Sequence, residues 1–478
     1  MYCGIIPDMK RRDFLKGLAV GGAAVAAGAC HGDVAPAGAV RVSQDIPVLG
    51  DYDVCVVGAG PGGVGAAIAA ARAGKRTILV EHYGYPGGVG TNCNTPTFFF
   101  DPYKGVQYLR GIADEFVRRL AKRGAAWFLT HDERYQPDYS RPVGDLPILD
   151  RVRTRVEDMR VAYHDFLDEA GVEKLFYAHL TGAVRDGDRI TAAIVDCLEG
   201  PRAIRAKVFI DATGAAHLVH RAGGRTRLAP PDKTMHKSIW ATLSPGPHAS
   251  PEVYRENCRT YHKLYHEHRE RLPKNIWTSL AIGLASGYVN GNSCDSRDMT
   301  RMDAEMRRRN FELLECYKRE LKGFDDAFIE TAIHQVGSRS GRHIVGRATV
   351  DRRLVTTAAM PDDPVMPFVR EWGEHAASMD NGFCGTVHGN FDGLGAVPYG
   401  ALVPVDFSNV LACGLCISVE EDYVKTIRMQ PNCLVSGQVA GTAAALSLDA
   451  TRGDVGSVPY AELRKRLEKQ NHRVDGVW

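Results

Sequence analysis

Net charge is almost absent: across 478 residues, 59 Lys and Arg face 57 Asp and Glu, a formal +2. That balance exerts little pull on a polyanion. No Lys/Arg tract alternates with aromatic residues either, so nucleic acid is excluded as a partner. Long apolar runs are missing too. The Gly/Ala-rich stretch from Gly17 to Ala29 is shorter than the ~20 residues a spanning helix needs, which disfavours a plain membrane anchor. Metal-ligand patterns are equally scarce. The CxxC of Cys413 and Cys416 has no second pair at ligand spacing, and no HExxH accompanies the histidines. We expect no metal site and structural thiols at Cys413 and Cys416. The 12 cysteines are irregularly spaced and read as scattered core thiols rather than a disulfide framework.

What is present begins at the N-terminus. A short basic region (Lys10, Arg11, Arg12) precedes the weakly apolar stretch, and Ala27-Gly28-Ala29 follows as a cleavage pattern. Arg11-Arg12-Asp13-Phe14-Leu15-Lys16 resembles the bacterial twin-arginine export signal, with Met9 as its natural start. Residues 1–38 are therefore read as signal peptide and linker. Ala-Gly-Ala-Cys ending at Cys30 approximates a lipobox, although Ala27 stands where Leu is usual. Two destinations stay open: a soluble periplasmic protein, or a lipoprotein whose contact with the membrane runs only through Cys30.

The next feature is a nucleotide grip. "DYDVCVVG" (51–58) is a short apolar run with the β-branched bias of a buried parallel strand. Gly58, Gly60 and Gly63 follow in GxGxxG spacing, with Pro61 and Gly62 between them, and a helix of small residues comes next. Gly58 permits the tight turn, Gly60 lets backbone N–H groups approach a diphosphate, and Gly63 allows close helix–strand packing. The helix N-terminus adds free amides and its dipole. A second strand, "RTILVE", ends on Glu81, whose carboxylate suits ribose hydroxyls and disfavours a 2′-phosphate. The ligand expected is an adenine dinucleotide without that phosphate.

Directly after Glu81 comes "HYGYPGGVGTNCNTPTF", in which Gly87-Gly88 and Val89 form a second glycine element. Here the chain resembles the bacterial FAD-dependent oxidoreductases of glutathione-reductase-like fold, which begin G-x-G-P-A-G and continue E-R-x-G-x-x-G-G. Three more blocks carry the resemblance: the segment 171–218 ending on Asp211-Ala212-Thr213-Gly214, "VGSRSGRHIVG" (336–346), and the closing block 396–447. The resemblance implies an α/β fold: a discontinuous Rossmann-like FAD domain (48–228 and 395–450), an inserted α+β substrate lobe (229–394) and a tail (451–478). It also implies FAD as cofactor. Contacts would come from Asp211, Thr213 and Gly214, from the Gly414 turn, and from the helix start at Pro431 and Asn432, whose amides would stabilise negative charge on the ring. The turn at Gly414 lacks the Asp that related enzymes use on the ribityl chain. Disulfide reductases of this fold carry paired cysteines after the Gly-Gly element. Cys93 stands alone there, reading as a packed thiol, with a redox role or a covalent tether as alternatives.

No second GxGxxG is present for NAD(P)H, which agrees with export. The flavin would exchange electrons with a small organic substrate and with oxygen, a quinone or a cytochrome. Candidate catalytic residues are His388, as a base in a glycine-rich loop, with His334 second. Arg339 and Arg342, three apart and on one face if helical, are a candidate carboxylate clamp. His343 follows where the family block often has Arg. His262 and His266, although i,i+4, read as a solvated helix face. The expected activity is hydride transfer between a sugar-like or other alcohol and flavin N5. The alternatives are reduction of an unsaturated organic acid and a non-catalytic electron relay.

Overall fold

In the computed structural model of the chain, residues 43–474 are described, apart from 101, 130–136, 145–147, 236, 245–252, 254–255, 258, 261–262, 265–266, 272–275, 280–283, 358, 375–376, 379–382 and 385–386. Of the residues described in 137–142, 276–288 and 371–390, only the backbone is considered. The twin-arginine segment, Cys30, His262 and His266 lie outside the described residues. Two units separate, Met1–Asp45 and Ile46–Trp478, and every element below belongs to the second.

The main sheet holds β1 (Val48–Val57), β2 (Thr77–Val80), β3 (Glu173–Leu175), β4 (His179–Asp186), β5 (Arg189–Cys197), β6 (Gly200–Asp211) and β7 (Val410–Ala412), in the order β3-β2-β1-β6-β5-β4 with β7 on β6. Pairing is parallel from β3 through β2, β1 and β6 to β7, and antiparallel within the β4–β5–β6 meander. Val54, Val56, Leu79 and Ile210 are fully buried, as expected for parallel strands covered on both faces. β7 comes from a distant part of the chain, so the FAD-type sheet is assembled from two segments: the fold is α/β and Rossmann-like.

The helices are α1 (Pro61–Arg72), α2 (Val89–Asn92), α3 (Ile112–Lys122), α4 (Val156–Glu169), α5 (His217–Arg221), α6 (Ser296–Glu320), α7 (Arg352–Thr356), α8 (Gln430–Ala450) and α9 (Tyr460–Lys469). Among the described residues, none is long and apolar enough to cross a membrane. Inside the inserted region, a four-stranded antiparallel sheet runs in the order Ile276–Ser279, Leu284–Val289, Lys237–Ser244, Phe328–Ala332. α6 contributes Met302, Met306, Leu313 and Leu314 to its packing. The strand Val387–Pro398 pairs with Pro364–Glu374 and runs without a break across residues 394 and 395.

α8 is buried along most of its length, which explains why its apolar residues show no one-sided stripe. It lies on α1 with backbone almost touching backbone. A Cβ on Gly437 would meet Gly62 O at 2.0 Å, one on Gly441 would meet Ala66 O at 2.1 Å, and one on Gly65 would meet Leu434 O at 2.3 Å. Gly437 and Gly441 are four apart and share one face of α8. Replacing Gly437 with Ala forces the helices apart, so G437A should lose about 1–3 kcal/mol of stability. Urea unfolding monitored by circular dichroism measures it.

Candidate functional site

The turn between β1 and α1 separates glycines that the fold needs from one that it does not. Gly58 has φ +102°, and a Cβ there would lie 2.5 Å from Ala212 O. At Gly63 the Cβ would sit 1.7 Å from Gly58 O, and at Gly62 it would press on Gly414 Cα and N at 3.1 Å. Gly60 has φ −66°, and its added Cβ would meet no protein atom closer than Gly88 Cα at 3.9 Å. Protein packing therefore does not explain Gly60. Close approach of a ligand does. α1 begins at Pro61 with no side-chain cap and no acidic residue in its first turn, leaving amides for an anion.

Gly87 N donates to Ala59 O at 2.8 Å, which ties the Gly87-Gly88 element to the turn. Gly88, at φ +52°, would bring a Cβ to 2.8 Å from Gly60 Cα, and the exposed Val89 then opens α2. Glu81 is 6% exposed. Its Oε2 accepts from Ala59 N at 2.7 Å and its Oε1 from Tyr83 N at 3.1 Å. A carboxylate offers about four acceptor sites, so capacity for ribose hydroxyls is left. Asp211 shapes the neighbouring turn. It accepts from Thr213 N at 3.1 Å, Thr213 Oγ1 at 2.7 Å and Val219 N at 2.9 Å, which occupies its buried carboxylate. Gly214, at φ +74°, has nothing within 4 Å of an added Cβ, so only its backbone conformation demands glycine.

The second helix start lies close by. α8 also lacks a side-chain cap, carries Pro431 in its first turn, and leaves amides free. Asn432 is buried and donates from Nδ2 to Thr426 O at 3.1 Å. Gly414, at φ +68°, is held by Ser436 of α8, whose Oγ accepts from Gly414 N at 2.9 Å. Where related enzymes use an Asp, this turn is fixed from α8 instead. Two uncapped helix starts thus border one glycine-lined cleft, and these residues fit FAD.

Next to this cleft the inserted sheet contributes a buried ionisable group. Lys237 is fully buried, and its Nζ donates to Thr234 Oγ1 at 2.6 Å and to Met235 O at 2.9 Å. Burial pulls its pKa down to about 8, Arg339 adding to the effect and Glu421 opposing it. Ser238 exchanges backbone hydrogen bonds with Gly337, and Gly337 packs on Cys93, which ends α2. His343 Nε2 lies 3.4 Å from Glu421 Oε2, and His343 Nδ1 3.2 Å from Ile417 O. Burial pushes the Glu421 carboxyl up, yet contacts with His343 and Ser340 and the charge of Lys237 outweigh this and hold it below its ordinary value. Asn92 Nδ2 and Oδ1, Ser340 Oγ and both Glu421 oxygens are buried without a formed hydrogen bond among the described residues. Sequence reasoning missed Lys237, Ser340, Glu421 and Asn92. A lone Lys opening the apolar run "SIWATL" was the available signal.

The predicted catalytic residues are spread out. Segment 336–342 contains no helix, so Arg339 and Arg342 do not share a helical face. Arg339 Nη1 donates to Ser238 Oγ at 2.9 Å, beside Lys237, whereas Arg342 Nη2 approaches Cys294 O at 3.5 Å. His388 lies opposite Gly373 on its strand, and its side chain is outside the described residues. His334 is exposed. Cys93, Cys413, Cys416 and Cys433 are free thiols, and burial pushes the Cys93 thiol up to about 12. Among the described residues, no three His, Cys, Asp or Glu could hold a metal ion.

The glycines give a paired test. G60A should leave the thermal midpoint of the flavin-free protein within error and weaken FAD binding at least about tenfold, about the loss of one charge-assisted hydrogen bond. G63A should lower the midpoint itself. Differential scanning fluorimetry and flavin fluorescence titration read the two effects.

No curated protein matches the chain. Similar solved structures include a geranylgeranyl bacteriochlorophyll reductase-like protein from Thermoplasma acidophilum, with 12% identity, a TM-score of 0.44, and coverage of 89% of this chain and 85% of that one. OxyS anhydrotetracycline hydroxylase from Streptomyces rimosus gives 13%, 0.45, 89% and 70%. The p-nitrophenol 4-monooxygenase PnpA from Pseudomonas putida DLL-E4 gives 13%, 0.41, 89% and 87%. Residues 8–28 match the twin-arginine translocation pathway signal sequence, which supports export by that route. Residues 53–467 match the FAD dependent oxidoreductases, and with an FAD-type cleft built from both ends of that span, the chain belongs to this family of enzymes and its cofactor is FAD.

Proposed function

We propose that the protein is an exported dehydrogenase that oxidises a small, hydroxyl-bearing organic donor without NAD(P) and passes the electrons to oxygen, a quinone or a cytochrome. It works in the periplasm, free or held by a lipid on Cys30. Bound FAD supplies hydride chemistry at N5. The observation that carries the reading is the polar group formed by Ser340, His343 and Glu421 next to Lys237, with the buried Asn92 amide making no hydrogen bond among the described residues. Buried polar atoms are rarely left without partners, and a polyol or alcohol would supply hydrogen bonds of the right kind.

The chain's part is to orient the donor and take its hydroxyl proton. Lys237 Nζ, neutral above about pH 8, can hold that proton in the buried junction. Arg339, beside Ser238, favours the developing oxyanion. His388 is the second proton acceptor in this proposal.

Anaerobic stopped-flow bleaching of the flavin against alcohols, sugars and organic acids tests the reaction. Bleaching by a hydroxyl donor is expected. Reoxidation of the dithionite-reduced protein by an unsaturated acid, with no bleaching by alcohols, would replace the reading by a reductase. Silence both ways would leave an electron relay. If Lys237 takes the proton, the bleaching rate should rise with pH through about 8 and level off above it, because only the neutral amine accepts. K237M should slow bleaching about a hundredfold and abolish that rise. A pH profile governed by H388N instead would assign the proton to His388.

A further inference from the structure

Where the inserted sheet meets the cleft, the buried polar groups have more hydrogen-bonding capacity than the protein fills. Lys237 Nζ carries three N–H groups, and among the described residues two are used, on Thr234 Oγ1 at 2.6 Å and Met235 O at 2.9 Å. Asn92, 2% exposed, makes no hydrogen bond from either amide atom among the described residues. Glu421 faces His343, whose Nε2 lies 3.4 Å from its Oε2, and Ser340 stands beside it. A carboxylate has about four acceptor sites, so with these two neighbours about two stay open.

Segment 337–343 ties these groups together. Gly337 exchanges backbone hydrogen bonds with Ser238, next to Lys237, at 2.9 and 3.2 Å, and a Cβ on it would lie 3.5 Å from Cys93 Cβ, next to Asn92. A Cβ on Gly341 would meet Ala215 Cβ at 3.0 Å and Gly214 O at 3.2 Å, at a turn that borders the cleft. His343 ends the segment against Glu421. Its ring is oriented by the other nitrogen: Nδ1 lies 3.2 Å from Ile417 O, and a carbonyl only accepts, so Nδ1 carries a proton. Nε2 is then the end that faces Glu421. A proton shared there makes the contact attractive, whereas without one two acceptors would meet. His343 thereby holds the carboxylate in place.

We infer that Glu421 binds a second hydroxyl of the donor, so that the substrate is a polyol or sugar rather than a monohydric alcohol. In the proposed dehydrogenase, on which this rests, Lys237 takes the proton of the reacting hydroxyl. A hydroxyl has one proton, so the group that gives it to Lys237 has none for Glu421. Filling the carboxylate takes another O–H on the same molecule, and the Asn92 amide offers further donors and an acceptor to hydroxyls. A substrate carboxylate set against Glu421 would be repelled. Glu421 is then a specificity-determining residue, and His343 is a positioning residue that acts through it.

The test uses the full-length holoprotein and compares glycerol, xylitol and glucose with propanol in anaerobic bleaching. At least one polyhydroxylated donor should bleach the flavin more efficiently than propanol by about tenfold to a hundredfold, the worth of one hydrogen bond to a charged group. E421Q should raise the half-saturating concentration of that donor by a similar factor, with a smaller effect on the limiting rate. H343Q, which keeps an N–H donor, should retain more of the affinity than H343L. Flavin absorbance and the thermal midpoint report the folding of each variant. Calorimetry of the same donors on dithionite-reduced holoprotein, which cannot oxidise them, reads binding apart from turnover, and E421Q should weaken it. Equal bleaching by propanol, or an unchanged half-saturation in E421Q, overturns the role of Glu421 and leaves the dehydrogenase standing. Polyol binding that E421Q weakens, with no bleaching by any hydroxyl donor, keeps the polyol site and overturns the dehydrogenase. Neither binding nor bleaching overturns both.

Discussion

Everything in the cleft depends on how closely two helices approach each other. Gly62 and Gly65 of α1 face Gly437 and Gly441 of α8, and backbone carbonyls fill the space where side chains would be. That contact brings two uncapped helix starts to one edge of the sheet. It also sets Gly414 against Gly62, with Ser436 holding the Gly414 amide, so the return of the chain to the sheet is registered on the glycine turn. Larger residues at these positions would separate the helix starts and open the turn.

The cleft divides its electrostatics by position. Along its middle, neutral backbone does the work, through amides at the starts of α1 and α8, and this suits a diphosphate and a ring that gains negative charge. Charged side chains stand at the two ends. At one end Glu81 ties Ala59 and Tyr83 in place. At the other, Lys237 and His343 are buried beside the half-buried Glu421, where the inserted sheet meets the segment leading into α8. Burying ionisable groups is costly unless they serve chemistry or mutual pairing, and Glu421 supplies a partner for His343.

The thiols take no part in this division. Cys413, Cys416 and Cys433 crowd around the Gly414 turn as small packing residues, and burial raises each thiol well above its ordinary value. Thiols protonated and out of reach do not form disulfides readily.

The nucleotide-binding half was legible in the sequence because its constraints are local. Gly58, Gly63 and Glu81 are fixed by turn geometry, helix packing and strand length within about thirty residues of chain, and the export signal is likewise one contiguous pattern. Asp211 reads from the sequence as a cofactor contact, but its carboxylate serves Thr213 and Val219, a use that spacing does not reveal. The end proposed to hold the substrate was not legible. Lys237, Asn92, Ser340 and Glu421 come from four distant segments, and each alone looks like an ordinary strand, helix or loop residue. Arg339 and Arg342 pair on one face only if their segment is helical, whereas the non-helical chain there takes them to different neighbours. Local pattern determined which nucleotide is held and how the chain is exported. Only the tertiary structure decided which buried polar groups meet, because burial and the pKa shifts it causes depend on which distant segments are packed together.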